Sequence, residues 1–120
     1  MTVAVGQHWL IELSQADPER LASPVQIEHA LRTAAEAAGA HVVHAHFHHF
    51  GPSQGVTGML LLRESHISIH SWPELAYAAV DLFMCGQATP DRALSVLQTQ
   101  LHAASCQVQR LQRGPALPQR

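Results

Sequence analysis

Residues 55–86, GVTGMLLLRESHISIHSWPELAYAAVDLFMCG, constrain the fold more than any other stretch. An apolar run over 59–62 is broken by Arg63, Glu64 and Ser65. Beyond the break, Ser65, Ile67, Ile69 and Ser71 share one parity, and His66, Ser68, His70 and Trp72 the other. Strand side chains have a period of two, so this pattern predicts a strand with two unlike faces. A second apolar stretch, 76–84, follows Trp72-Pro73-Glu74 and ends at Cys85-Gly86. Its alanines suit a helix, but Tyr77, Val80, Phe83 and the closing Cys-Gly favour a strand, set off from the previous one by Pro73. Acid, hydroxyl, imidazole and thiol side chains thus lie close to strands that could hold them rigidly.

The remaining elements follow from local signals. Residues 7–13 alternate and predict a first strand, after a loose start over 1–6. Residues 15–20, with Pro18, form a polar turn with room for a short helical turn. Ser23-Pro24 opens a helix, with Gln26 three after the cap; Ile27, Leu31, Ala34, Ala35 and Ala38 make its apolar stripe, and Gly39 stops it. Residues 40–50 and 56–63 predict two strands around the turn 51–55. Thr89 and Pro90 open a second helix over 90–103, buried through Ala93, Leu94, Leu97 and Leu101. A short strand over 107–111 precedes a tail, 114–120, that need not be ordered. The order β-α-β-β-β-β-α-β predicts an α+β two-layer sandwich: a mostly antiparallel sheet with both helices on one face. The other face then needs a cover, and a second copy, in a dimer, is the expected one.

A chain of 120 residues supports one domain, 1–120. The net charge of −2 and the scatter of its arginines point to no nucleic-acid partner. No apolar run is long enough for a membrane span and no leader pattern is present, so a cytoplasmic protein is expected. Cys85 and Cys106 are too few for a disulfide scaffold and read as reduced thiols. The ten histidines include a cluster of His41, His44, His46, His48, His49, His66 and His70. His44, His46 and His48 would share one strand face, but no thiol or acidic ligand is close in sequence, so no metal is assigned. The chain has no lysine, which excludes pyridoxal phosphate held as a lysine Schiff base.

ESHISIHSWPE, with YAAVDLFMCG after it, resembles the small prokaryotic S-adenosylmethionine decarboxylase proenzymes. The similarity spans about 8–111 and is densest over 48–86. These enzymes cut their own chain at a Glu-Ser bond and turn the serine into a pyruvoyl group. The resemblance implies cleavage between Glu64 and Ser65, giving fragments 1–64 and 65–120, and S-adenosylmethionine as substrate, feeding spermidine biosynthesis. By the same resemblance Ser65 is the pyruvoyl precursor and His70 serves ester elimination. Thr57 supports processing. Cys85 protonates the decarboxylated carbon and assists processing. Phe50 and Trp72 lie near the adenine, and Glu74 near the ribose or the sulfonium.

The chemistry is coherent with these residue types. Decarboxylation leaves a carbanion that no ordinary side chain can absorb, and a carbonyl made from the backbone supplies the electron sink. Making it requires Ser65 to attack the preceding carbonyl, a donor for the oxyanion, and a base for the Ser65 Cα proton. Yet five strand residues separate Ser65 from His70, roughly 16 Å if extended. Either the turn folds Ser65 back, or a neighbouring subunit contributes one of the groups. Two departures from the family lie near the expected substrate pocket: Leu75-Ala76 replaces an aromatic or Arg followed by Gly, and the loop 51–54 is one residue longer than in some members. Ornithine or arginine as substrate, an uncut oligomeric binding protein and a histidine metal protein are the competing readings.

Overall fold

The alternation over the central strands fixes which side of the sheet is covered. In the computed structural model, which describes residues 2–3, 5–115 and 117–118, the elements run β1 (Thr2–Val3), β2 (Gly6–Ser14), α1 (Pro18–Leu21), α2 (Pro24–Ala37), β3 (Val42–His49), β4 (Val56–Leu62) and β5 (Ser65–Trp72). A 3-10 turn (Pro73–Leu75), β6 (Tyr77–Cys85), α3 (Pro90–Gln100), β7 (Ser105–Arg113) and β8 (Leu117–Pro118) complete the chain. The main sheet has six strands in the order β3-β4-β5-β6-β2-β7, and every neighbouring pair is antiparallel. The expected α+β sandwich is therefore correct, and its sheet is antiparallel throughout.

Register aligns the buried residues into rows. Trp9, Leu82, Ile67 and Leu60 face one another across four strands, and Ile11, Val80 and Ile69 do so one step along. All seven are buried, together with Ile27, Leu31, Ala34 and Ala35 of α2 and Ala93 and Leu97 of α3. Each large aliphatic side chain so covered contributes about 1.5–3 kcal/mol. Ser71 holds the inward place after Ile69 and is buried, so its hydroxyl must find partners. It accepts from Val56 N–H at 2.9 Å and donates to the Leu21 carbonyl at 2.7 Å, tying β5 to β4 and α1. The opposite parity faces away from the helices, and there Leu10, Met59, Leu61 and Trp72 remain exposed. No helix among the described residues is long and apolar enough to cross a membrane.

Local signals resolve with a few corrections. Ser23 Oγ accepts from Gln26 N–H at 3.2 Å, capping α2, and Gly39 leaves the helix at φ +79°. Thr89 is the N-cap residue of α3 as expected, but its side chain makes no capping hydrogen bond; its hydroxyl donates to the Ala38 carbonyl at 3.3 Å, joining the start of α3 to the end of α2. α3 ends at Gln100 rather than 103, and His102 turns the chain at φ +53°. β3 is shorter than expected and carries an irregularity between Val42 and His44, which leaves His41 just outside the strand. The expected loose start and tail are paired in part: Thr2 faces Pro118 and Val3 faces Leu117. Residues 1, 4, 116, 119 and 120 of those segments lie outside the described residues.

The departure at Leu75-Ala76 has a backbone consequence. Ala76 sits at φ 51°, ψ 39°, the left-handed region where a Cβ is unfavourable and glycine is not. Ala76→Gly should therefore stabilise the fold by about 0.5–1 kcal/mol, the relief of the Cβ clash less the added chain entropy. The urea midpoint would rise with an unchanged m-value; a lower midpoint would show that the conformation carries no such strain.

Candidate functional site

Most of the polar and reactive side chains lie on the open face of the sheet, in groups along the strands; Ser65, at the first position of β5, has the parity of the inward Ile67, Ile69 and Ser71. The first group surrounds the turn between β4 and β5. Leu62 pairs with Ser65, so Arg63 and Glu64 form a two-residue hairpin loop. Ser65 also pairs with Met84, which places Cys85 beside the peptide bond preceding Ser65. The Glu64 carbonyl oxygen accepts from the Cys85 backbone N–H at 3.2 Å and from its thiol at 2.8 Å. The Ser65 hydroxyl lies 3.8 Å from the same sulfur. Ser65 has φ +147°, a conformation that costs a non-glycine residue about 1–3 kcal/mol.

The Glu64 side chain is held as firmly as its carbonyl. Its Oε1 accepts from His41 N–H at 2.9 Å, and its Oε2 lies 2.9 Å from His41 Nδ1. These side-chain and backbone hydrogen bonds hold the Glu64 carboxyl below the ordinary carboxylate range. The arrangement offers what acyl transfer along a chain requires: a hydroxyl next to a carbonyl, two donors on that carbonyl, and a strained peptide.

The second group lies one step along the strands. Asp81 Oδ2 accepts from His8 Nε2 at 2.7 Å and His66 Nε2 at 2.8 Å, while Ser68 donates to its Oδ1. Burial pushes the Asp81 carboxyl up, but hydrogen bonds from Ser68, His66 and His8 outweigh it and leave it below the ordinary range. Among the described residues these are the ligand-type side chains that converge closely enough to hold a metal ion. Arg113 Nη1 lies 2.8 Å from His8 Nδ1. An arginine can only donate, so Nδ1 accepts and the His8 proton sits on Nε2, aimed at Asp81. Metal binding there would have to displace that proton. His44, His46 and His48 do share the open face, opposite Leu61, Met59 and Thr57, but stay exposed.

The third group occupies the far end. Thr57 pairs with His70, and Thr57 Oγ1 lies 3.1 Å from His70 Nδ1. Trp72 stacks on Tyr77, with ring centroids 5.5 Å apart, and the Tyr77 hydroxyl donates to Glu12 at 2.7 Å. Burial and the Glu12 carboxylate push the Tyr77 hydroxyl up to about 12. Phe50 is largely exposed, its ring against His48 at 4.7 Å. Glu74 lines an open groove of about 460 Å³ with Pro18, Glu19, Ala22, Ser53 and Pro73. None of Ser65, His70 or Cys85 lines that groove.

The sequence-predicted residues thus divide. Glu64, Ser65 and Cys85 come together; Thr57 and His70 come together; Phe50, Trp72 and Glu74 lie beyond them. The possibility that the turn folds Ser65 back toward His70 is excluded within one chain, because both lie on the unbroken strand β5 with one continuous register. Sequence reasoning missed His41 as a partner of Glu64, and missed the convergence of His8, Ser68 and Asp81. Their signal was strand register, which residue spacing does not reveal. Cys106 is a free thiol whose pKa burial raises, consistent with an inert role.

The chain is similar to known proteins in sequence and in fold. Residues 7–114 match the family described as S-adenosylmethionine decarboxylase. An S-adenosylmethionine decarboxylase proenzyme of Parasynechococcus marenigrum is 50% identical over 100 residues, covering 82% of this chain and 77% of the relative. The proenzyme of Pyrococcus furiosus is 37% identical over 111 residues, covering 92% and 79%. The crystal structure of an adenosylmethionine decarboxylase from Aquifex aeolicus superposes with a TM-score of 0.86 at 34% identity, covering 94% of this chain and 93% of the other. With the family match running over residues 7–114, relatives of this identity and a shared fold over nearly all of both chains, the chain belongs to the S-adenosylmethionine decarboxylase family.

Proposed function

We propose that this chain is a self-processing S-adenosylmethionine decarboxylase of the cytoplasm. It cuts its single domain between Glu64 and Ser65 and supplies decarboxylated S-adenosylmethionine for spermidine biosynthesis. The observation that carries the reading is the Glu64 carbonyl, held by the Cys85 N–H and thiol beside the Ser65 hydroxyl. Ser65 Oγ attacks the Glu64 carbonyl carbon, the Cys85 donors stabilise the oxyanion, and collapse expels the Ser65 nitrogen to leave an ester. Removal of the Ser65 Cα proton eliminates Glu64 as a carboxylate. The dehydroalanine left behind takes up water and loses ammonia, ending in a pyruvoyl group at residue 65. That group supplies a carbonyl able to capture the substrate amine and accept the electrons released with carbon dioxide. Cys85 remains beside residue 65 to deliver a proton to the decarboxylated carbon. Phe50 and Trp72 offer aromatic faces for the adenine, and Glu74 a carboxylate for the ribose or the sulfonium.

The proton at Ser65 Cα needs a base, and His70 of the same chain is five residues down an extended strand, roughly 16 Å away. A second copy resolves the distance. The exposed open face, with Leu10, Met59, Leu61 and Trp72, favours a homodimer packed sheet to sheet. Two-fold symmetry lets the Thr57–His70 end of one chain lie over the Ser65 end of the other, and the reverse. His70, oriented by Thr57, then acts across the interface.

Intact-mass analysis of purified protein should find two fragments, with Ser65→Ala remaining one uncut and inactive chain. Carbon dioxide release should occur with S-adenosylmethionine and not with ornithine or arginine. Cys85→Ala should slow cleavage by roughly 10²-fold through loss of one oxyanion donor, and Cys85→Ser, which keeps a donor, by much less. Equal cleavage in both variants would remove Cys85 from that role. His70→Ala alone should mature slowly. Coexpressed with Ser65→Ala chains, it should regain cleavage, because each mixed dimer pairs an intact Ser65 with an intact His70. Failure to regain it would overturn action across the interface.

A further inference from the structure

We infer that His41 is a positioning residue for chain cleavage, clamping the side chain of Glu64 so that the scissile carbonyl stays on the Cys85 donors. The inference rests on the self-cleavage proposed above. His41 links to the turn three times. Its carbonyl accepts from Arg63 N–H at 2.8 Å, its N–H donates to Glu64 Oε1 at 2.9 Å, and its Nδ1 lies 2.9 Å from Glu64 Oε2. An ionised carboxylate only accepts, so His41 Nδ1 carries the proton and donates. The Glu64 carboxylate therefore holds two donors from one residue, a paired contact that fixes its direction as well as its distance.

The geometry explains why such a clamp matters. Glu64 is the second residue of a two-residue loop and precedes a serine at positive φ. Without tethers, that loop relaxes toward unstrained conformations and carries the carbonyl away from Cys85. The peptide is instead held from both sides: its carbonyl by β6, through Cys85, and its side chain by the segment entering β3, through His41. A displacement of about 1 Å at a reacting centre is enough to cost a large factor in rate. The His41 side chain is 62% exposed, so its removal opens no cavity.

The test is the rate of fragment formation in the full chain, followed by intact mass from the uncut state. His41→Ala keeps both backbone links and loses the Nδ1 donor; cleavage should slow about tenfold or more. His41→Asn places an amide donor at the same δ position and should recover most of the native rate. His41→Gln carries the amide one carbon further out and should not. Thermal midpoints of the three should match the native chain, separating positioning from stability. Native-rate cleavage in His41→Ala, or equal slowing in the alanine and asparagine variants, would overturn the clamp while leaving self-cleavage intact. An uncut native chain would instead overturn self-cleavage and the clamp with it.

Discussion

The antiparallel register of β4, β5 and β6 is the constraint from which the rest follows. Leu62 opposite Ser65, and Ser65 opposite Met84, leave a two-residue loop whose second carbonyl projects at the first group past the pair, Cys85. A slip of one residue would move every side chain of β5 to the other face. Ile67 and Ile69 would then face away from the core, so burial of those residues holds the register. The core thereby holds the reactive peptide in place.

The sheet separates two duties by parity. One face binds the helices through rows of aliphatic residues, with Ser71 the buried exception whose hydrogen bonds join three elements. The other face collects histidines, carboxylates and aromatics. On it, polar groups satisfy one another in short networks: Asp81 with His8, His66 and Ser68, and Tyr77 with Glu12. These networks fix side-chain directions on a face that lacks a covering layer in one chain. They also leave the Thr57–His70 pair and the Ser65–Cys85 pair at opposite ends, an arrangement that two-fold symmetry can complete.

Much of this was legible from residue order. The period-two pattern over 65–72 predicts β5 and its inward residues, and Ser23, Pro24 and Gly39 delimit α2. The absence of lysine and the Glu-Ser pair at a strand boundary bear directly on the cofactor. Other features were not legible, for identifiable reasons. The Thr89 hydroxyl has a local use as a cap and a tertiary use on the Ala38 carbonyl, and local signals cannot decide between them. His41 reads as one of many exposed histidines because its partner is 23 residues away, across the β3–β4 pairing. Asp81 reads as a lone charge inside an apolar strand until β2 and β5 bring His8 and His66 alongside.

What the amino-acid order determined by itself is the main helices and sheet strands, the face each of those strands buries and the chemical types available at the Glu64–Ser65 bond, because these depend on periodicity and composition over a few residues. Only the tertiary structure decided which groups meet. It set Cys85 and His41 on either side of that bond and kept His70 at the other end of the strand. The physical reason is that contacts between strands depend on register and order in the sheet, which arise from burial summed over the whole core rather than from any short run of residues.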